Sequence, residues 1–241
     1  RYFTRLTQRL IAALSAPTAE GVLYEVDMRL RPSGNKGPVA TRLRAFAKYQ
    51  REEAWTWEHM ALSRARVVCG DAGLQDEAEQ IMAEVLRAPR DITRTVKDVA
   101  EMRGLIEQEK PAKDIWDLKL IPGGLVDIEF IAQYLALVAP SKGQRVRTNE
   151  LSTADALKAL GDLIDPNDLD TCLTTLKLYT DLSQLIRLCI DGPFDPANVP
   201  AGLSDRVARA ADSPDVKTVE AEVRRLSKTV RKVFSRVVAA G

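Results

Sequence analysis

The residues that most invite a chemical reading lie at positions 23–37, LYEVDMRLRPSGNKG. Alternate side chains of an extended run project to opposite faces, so Glu25, Asp27 and Arg29 share one face while Val26 and Met28 turn towards a core. A hard cation such as Mg²⁺ takes oxygen ligands, commonly one or two carboxylates plus phosphate oxygens, and Asp27 is a carboxylate of that kind. Arg29 and Arg31 offer forks of donors that match phosphate oxygens two at a time. Ser33, Gly34 and Lys36 stand in a loop whose backbone N–H groups and ammonium charge suit an anion. This set fits phosphoryl or nucleotidyl transfer. It equally fits a solvated Asp27–Arg29 pair on an edge strand, with residues 32–37 a simple turn.

The elements that must position these residues follow from periodicity. Phe3, Leu6, Leu10, Ala13 and Leu14 recur at helical spacing until Pro17 closes the run. Alternation over 22–30 predicts a strand. Residues 41–64 read as helix, 64–71 (RARVVCGD) as a brief extended piece, 74–86 as helix, and the segment after Pro89 as a helix with a narrow apolar stripe. Residues 114–121 (DIWDLKLI) read as a second strand, stopped by Pro122, Gly123 and Gly124, with a helix over 125–138 beyond it. Everything past about 148 reads as helical. Its last segment repeats Val219, Val223, Leu226, Val230, Val233 and Val237, the stripe of a bundle, after an expected N-cap at Ser213 and first helical residue at Pro214. The expected fold is mostly α with a small β portion, in two units, 1–145 and 146–241, the second an antiparallel helical bundle.

Charge bounds the partners. The 241 residues carry 35 basic and 34 acidic side chains, so no global field draws the chain to nucleic acid or an anionic membrane, and any anion site must be local. Cys69, Cys172 and Cys189 are too scattered for a zinc site or a disulfide framework, which points to a reduced, cytoplasmic setting. No apolar run reaches the 18 residues that would suggest a membrane span.

Other groups carry weaker chemistry. Asp127 and Glu129 fall near the first turn of a helix, where acids offset the helix dipole; two residues apart, they diverge by about 200° and do not share one metal. Arg64 and Arg66 share a face if 64–67 is extended. His59, the only histidine, has no Ser or Cys partner and reads as solvated or hydrogen-bonded rather than catalytic. Trp55, Trp57 and Trp116 read as packing residues, with base stacking left open for Trp116. Asp168 and Asp170 form the only Asp-x-Asp in the chain; Asp168 reads as an N-cap or first-turn acid.

YEVDMRLRPSGNKGP closely resembles the signature of glutamine synthetase adenylyltransferases, and the resemblance continues in ALSRARVVCGD, WDLKLIPGGLVDIEFIAQYL and LCIDGPFDPANVPAGL. It implies enzymes that attach AMP from ATP to a tyrosine of glutamine synthetase and remove it, under control of a PII-type signalling protein. The Asp-Gly-Pro-Phe-Asp run is more similar to the C-terminal, adenylylating half. The implied fold is a nucleotidyltransferase unit in which three carboxylates hold Mg²⁺, two from an Asp-x-Asp strand after a Gly-Ser turn and one from a later apolar-acid-apolar strand. Val26-Asp27-Met28 matches the last, making Asp27 the implied metal ligand and catalytic residue, with Arg29, Arg31, Ser33, Gly34 and Lys36 at phosphate. The block around Lys119, Gly123, Gly124, Asp127 and Glu129 is an implied active-site wall. The first 23 residues hold no Asp and the chain opens on Arg, so the expectation is a truncated α/β unit, a fragment starting after the Asp-x-Asp strand and inactive alone. The alternatives are the deadenylylating half, or a non-catalytic helical module that docks glutamine synthetase or a PII-type protein.

Overall fold

In a computed structural model describing residues 2–22, 26–144 and 151–239, the chain forms helices α1 Tyr2–Ser15, α2 Leu43–Glu52, α3 Thr56–Leu62, α4 Ala72–Arg87, α5 Ile92–Glu109, α6 Leu125–Val138, α7 Thr153–Ala159, α8 Pro166–Cys189, α9 Ala201–Ala210 and α10 Val216–Ala239. The mostly helical expectation holds, and the expected boundary at 145/146 lies outside the described residues.

The apolar run of α6 explains the architecture. Its residues are apolar on nearly every side, the mark of a helix with no solvent face, and ten of its fourteen are buried. It therefore sits at the centre, packed against α3, α5, α7, α8 and α10. Ile128, Ile131, Leu135 and Val138 form one core with Val99 of α5, Leu157 of α7, and Val230 and Val233 of α10. Each such side chain contributes about 1.5–3 kcal/mol by leaving water, so α6 and α10 fasten residues on both sides of the chain's midpoint into one core. The expected stripe of α10 is buried from Val219 to Val233, and its first half joins Leu118, Tyr179, Leu182 and Val207 in a second core.

Caps fix the helix starts. Asp71, Asp91, Ser152 and Asp165 each accept a backbone N–H of the first turn, as short polar side chains do at N-caps. At α10 that role falls to Asp215, which accepts Thr218 N–H at 2.7 Å, rather than to Ser213. The expected single helix over 41–64 is divided between Glu52 and Thr56. Glu58 takes the Trp55 N–H at 2.9 Å and the Tyr49 hydroxyl at 2.8 Å, which caps α3 as a helix of its own and ties it to α2.

Neither expected strand forms a ladder among the described residues, so the small β portion and the α/β unit are not seen there. A strand needs partners for its backbone groups, and the one β-bridge present joins Thr18 to Gly21. Residues 23–25 lie outside the described residues. Over 26–29 the alternation survives without pairing: Val26 and Met28 are half-buried, Asp27 and Arg29 exposed. Residues 114–121 instead form consecutive turns. Asp114 accepts Trp116 N–H at 2.7 Å and Asp117 accepts Leu120 N–H at 3.3 Å, so these acids supply locally the acceptors a neighbouring strand would have supplied. Residues 64–71 also lack a ladder, though Arg64 and Arg66 point outward while Ala65 and Val67 pack on Leu62, Met82 and Val85.

Candidate functional site

Asp27 and Arg29 project together, as their spacing requires, and they hold each other. Arg29 donates through Nε to both carboxylate oxygens at 3.0 Å, through Nη2 to Oδ2 at 2.6 Å and through its backbone N–H to Oδ1 at 2.9 Å. The Arg29 side chain, then its backbone N–H, hold the Asp27 carboxyl well below the usual range, at about 2. The pair is exposed.

Arg31 is turned inward on its own loop. It donates to the carbonyls of Met28, Gly37 (3.3 Å) and Asn35 (3.4 Å), so it staples the turn. The loop closes further through Gly34 N–H to Arg31 O, Lys36 N–H to Ser33 O and Gly37 N–H to Gly34 O. A Cβ at Gly37 would stand 1.9 Å from Pro32 O, so the turn admits only glycine there. Three loop amides are thus internally bonded. Lys36 is exposed and pairs with no described residue, and Ser33, at φ 60°, lies at the start of the turn.

A cavity of about 660 Å³ opens beside this loop. Leu30, Arg31 and Pro32 form one lip; Phe46, Trp57, Met60, Met82 and Phe130 supply apolar walls; Glu58 and Arg64 are polar points on the rim. Its size and lining suit a flat organic group with a charged appendage. Sequence reasoning assigns Trp57 to packing and singles out neither Met60 nor Met82. Nothing in local spacing could find these walls, because the fold gathers them from α2, α3, α4 and α6. Trp55 does not pack in a core: it is 68% exposed.

The expected active-site wall separates into parts with different surroundings. Asp127 is fully buried and accepts from Arg103 Nε, from Arg231 Nη1 at 3.0 Å and from Gly123 N–H at 2.7 Å. Glu107 completes the cluster, 3.2 Å from Arg103 and 2.9 Å from Arg231. Asp127 therefore joins α5, α6 and α10. Gly123 belongs to the same junction: at φ 79°, a Cβ there would come within 1.8 Å of Ser227 O on α10. Gly124 N–H bonds Ile121 O at 2.8 Å and leads into α6. Glu129 diverges from Asp127 as expected and pairs with Arg64 at 3.2 Å. Lys119 is exposed on a separate, smaller cavity.

The remaining polar candidates have structural partners. His59 is buried; Arg90 donates to Nδ1 at 2.8 Å, which puts the ring proton on Nε2, 2.9 Å from Gln50 O. Burial and the Arg90 charge push His59 below the ordinary imidazole range, so it stays neutral. Asp168 is the first-turn acid expected of it, in α8, and it binds Arg236. All three cysteines are free.

Among the described residues no three His, Cys, Asp or Glu side chains gather as a metal-holding group. Asp27 alone, capped by Arg29, does not make a Mg²⁺ cradle, since Mg²⁺ demands near-octahedral oxygen ligation. None of the described helices is long and apolar enough to cross a membrane.

Comparison with known proteins accounts for the four sequence blocks. Residues 1–81 match the family described as glutamate-ammonia ligase adenylyltransferase. The whole chain is 68% identical to part of the bifunctional glutamine synthetase adenylyltransferase/adenylyl-removing enzyme of Rhizobium meliloti (strain 1021), and 63% identical to that of Agrobacterium fabrum (strain C58 / ATCC 33970). Over 99% of the chain it is 46% identical to the Rhodopseudomonas palustris (strain TIE-1) enzyme. In each case it spans 24% of the relative's length. Similarity from end to end, with the pattern of the glutamate-ammonia ligase adenylyltransferase family on the first 81 residues, bears out the resemblance: this chain is similar throughout to a quarter-length segment of bifunctional glutamine synthetase adenylyltransferase/adenylyl-removing enzymes.

Proposed function

We propose that the chain is part of an enzyme that transfers AMP from ATP to a tyrosine of glutamine synthetase in the cytoplasm, and so regulates nitrogen assimilation. The observation that carries this reading is the 68% identity across all 241 residues to an enzyme named for that activity. The cavity beside the Asp27 loop supports it, because its apolar walls suit a nucleobase, its rim carries Arg64, and the adjoining loop exposes Arg29 and Lys36. The Asp-Gly-Pro-Phe-Asp block favours the adenylylating half.

Within this reading the chain's own residues position the nucleotide. Arg29 and Lys36, both exposed, take phosphate oxygens, and Arg29 releases Asp27 as it does so. Arg31 keeps the loop closed from within, and Ser33 and Gly34 shape its turn. Asp27, so freed, would be one of several carboxylates needed to hold the Mg²⁺ that accompanies ATP. That ion, when bound, neutralises triphosphate charge. A single carboxylate does not hold it, so the fold the family implies, a nucleotidyltransferase unit with further acids, belongs to the same proposal. A PII-type protein is the proposed regulator.

The test uses the full-length protein with labelled ATP and unmodified glutamine synthetase. Asp27→Asn lowers AMP transfer by about 100-fold or more, and the isolated 241 residues transfer none. Wild-type transfer by Asp27→Asn together with wild-type phosphorolysis would remove Asp27 from the site. Retained AMP transfer with loss of phosphorolytic release of ADP from the modified tyrosine would assign the chain to the deadenylylating half instead.

A further inference from the structure

The smaller cavity that Lys119 faces has its own chemistry. It encloses about 330 Å³ between the turns of 113–119, one face of α8 and the residues after α8. Phe194 is buried in its wall and meets Trp116 edge to face, with ring centroids 4.8 Å apart. Around this aromatic wall stand Lys113, Lys119 and Arg187, all exposed and none paired with a described residue.

The acids of the same turns have structural work. Asp114 and Asp117 also line the cavity, yet each accepts a backbone N–H, of Trp116 and Leu120 respectively, and thereby shapes the turn. Some arginines elsewhere sit on carboxylates, Arg51 on Glu84, Arg64 on Glu129, Arg224 on Glu220 and Arg225 on Glu222. Asp114 and Asp117 offset part of the charge of Lys113, Lys119 and Arg187, which leaves the cavity net positive beside its aromatic wall. An anion joined to a ring matches both features.

We propose that this cavity binds a small organic anion, a carboxylate or phosphate head on a flat ring, at a site distinct from the cavity beside Asp27. Arg187 grips the head with its planar fork, Lys113 and Lys119 add point charges, and the ring lies against Trp116 and Phe194. The volume is at the low end for small-molecule sites, which excludes a folded partner segment and favours a single ring.

The test titrates inorganic phosphate, phenyl phosphate and benzoate separately into the 241-residue chain. The Trp116 indole N–H is followed by ¹H–¹⁵N NMR and identified by its loss in Trp116→Phe. Phenyl phosphate and benzoate shift that signal saturably, and inorganic phosphate binds more weakly because it lacks the ring; the tighter of the two ring compounds identifies the head group. Lys119→Gln combined with Arg187→Gln weakens binding about tenfold or more, while Lys97→Gln, far from the cavity on α5, leaves it unchanged. No saturable shift from any of the three at millimolar concentration, or equal binding by the double variant, would overturn the proposal.

Discussion

The residues up to 40 and the helices around α6 treat their charged groups in opposite ways. In the first region, Asp27 and Arg29 bind each other in the open, Arg31 binds its own loop, and α1 has no buried residue, with Phe3, Leu6, Leu10 and Leu14 exposed. In the second, Asp127 is buried under Arg103 and Arg231, and these three charges join three helices. An exposed pair two residues apart in sequence contributes little to stability and gives way easily to a ligand. A buried pair is costly to break, because whichever charge remains cannot return to water. Two acids of similar sequence appeal, each beside apolar neighbours, thus have different physical fates: Asp27 is free to exchange partners and Asp127 is not.

The sharpest way to break this contrast is at Asp127. Asp127→Asn keeps the volume and removes the charge that Arg103 faces in the interior. The expected loss is about 3–5 kcal/mol in chemical denaturation, the usual result of removing one partner of a buried pair. Adding Arg103→Met restores part of that loss, since no buried cation is then left without its partner, although Arg231 and Glu107 still face each other. A loss under about 1 kcal/mol would mean that water reaches the cluster and that Asp127 resembles Asp27 after all.

Gly123 sharpens the same side of the comparison with a smaller expected effect. Gly123→Ala meets both a left-handed backbone, φ 79°, and the Ser227 carbonyl of α10. The combination costs about 1–3 kcal/mol and moves α10 away from the turn, which denaturation and hydrogen exchange at Ser227 report. Unchanged stability would show that α10 has slack at this junction.

How much of this was legible beforehand depends on the reach of the partners. The bounds of α6 follow from spacing alone, and so does the shared face of Asp27 and Arg29, because these are relations among near neighbours. The burial of Asp127 was not legible: Arg103 comes from 24 residues earlier and Arg231 from 104 later. Residues 114–121 were misread for a related reason. Their alternation is compatible with a strand, but a strand requires a neighbour, and without one Asp114 and Asp117 close the backbone into turns. The pocket walls beside Asp27 come from separate helices, and Arg187 of α8 joins the turns that carry Lys113 and Lys119, relations that no short motif connects.

The smallest expected effect is on the other side of the comparison, at Asp27 in the isolated chain. Its carboxyl titrates at about 2 because Arg29 donates to it from both side chain and backbone, whereas an unfolded Asp titrates near 3.9. A group whose folded value is depressed adds stability above its unfolded value and loses that contribution as pH falls through the folded one. Any contribution of Asp27 is therefore complete above about pH 4 and disappears towards pH 2. The pair is exposed, so solvent screens it, and Asp27→Asn leaves denaturation at pH 7 unchanged within error. NMR titration of the Asp27 carboxyl checks the first half of this expectation and denaturation the second. A carboxyl titrating near 3.9 would show that Arg29 does not hold it in solution, and a large stability loss in Asp27→Asn would show that the loop depends on the acid for its fold. Either result would erase the distinction between a charge kept available for a ligand and one committed to the core.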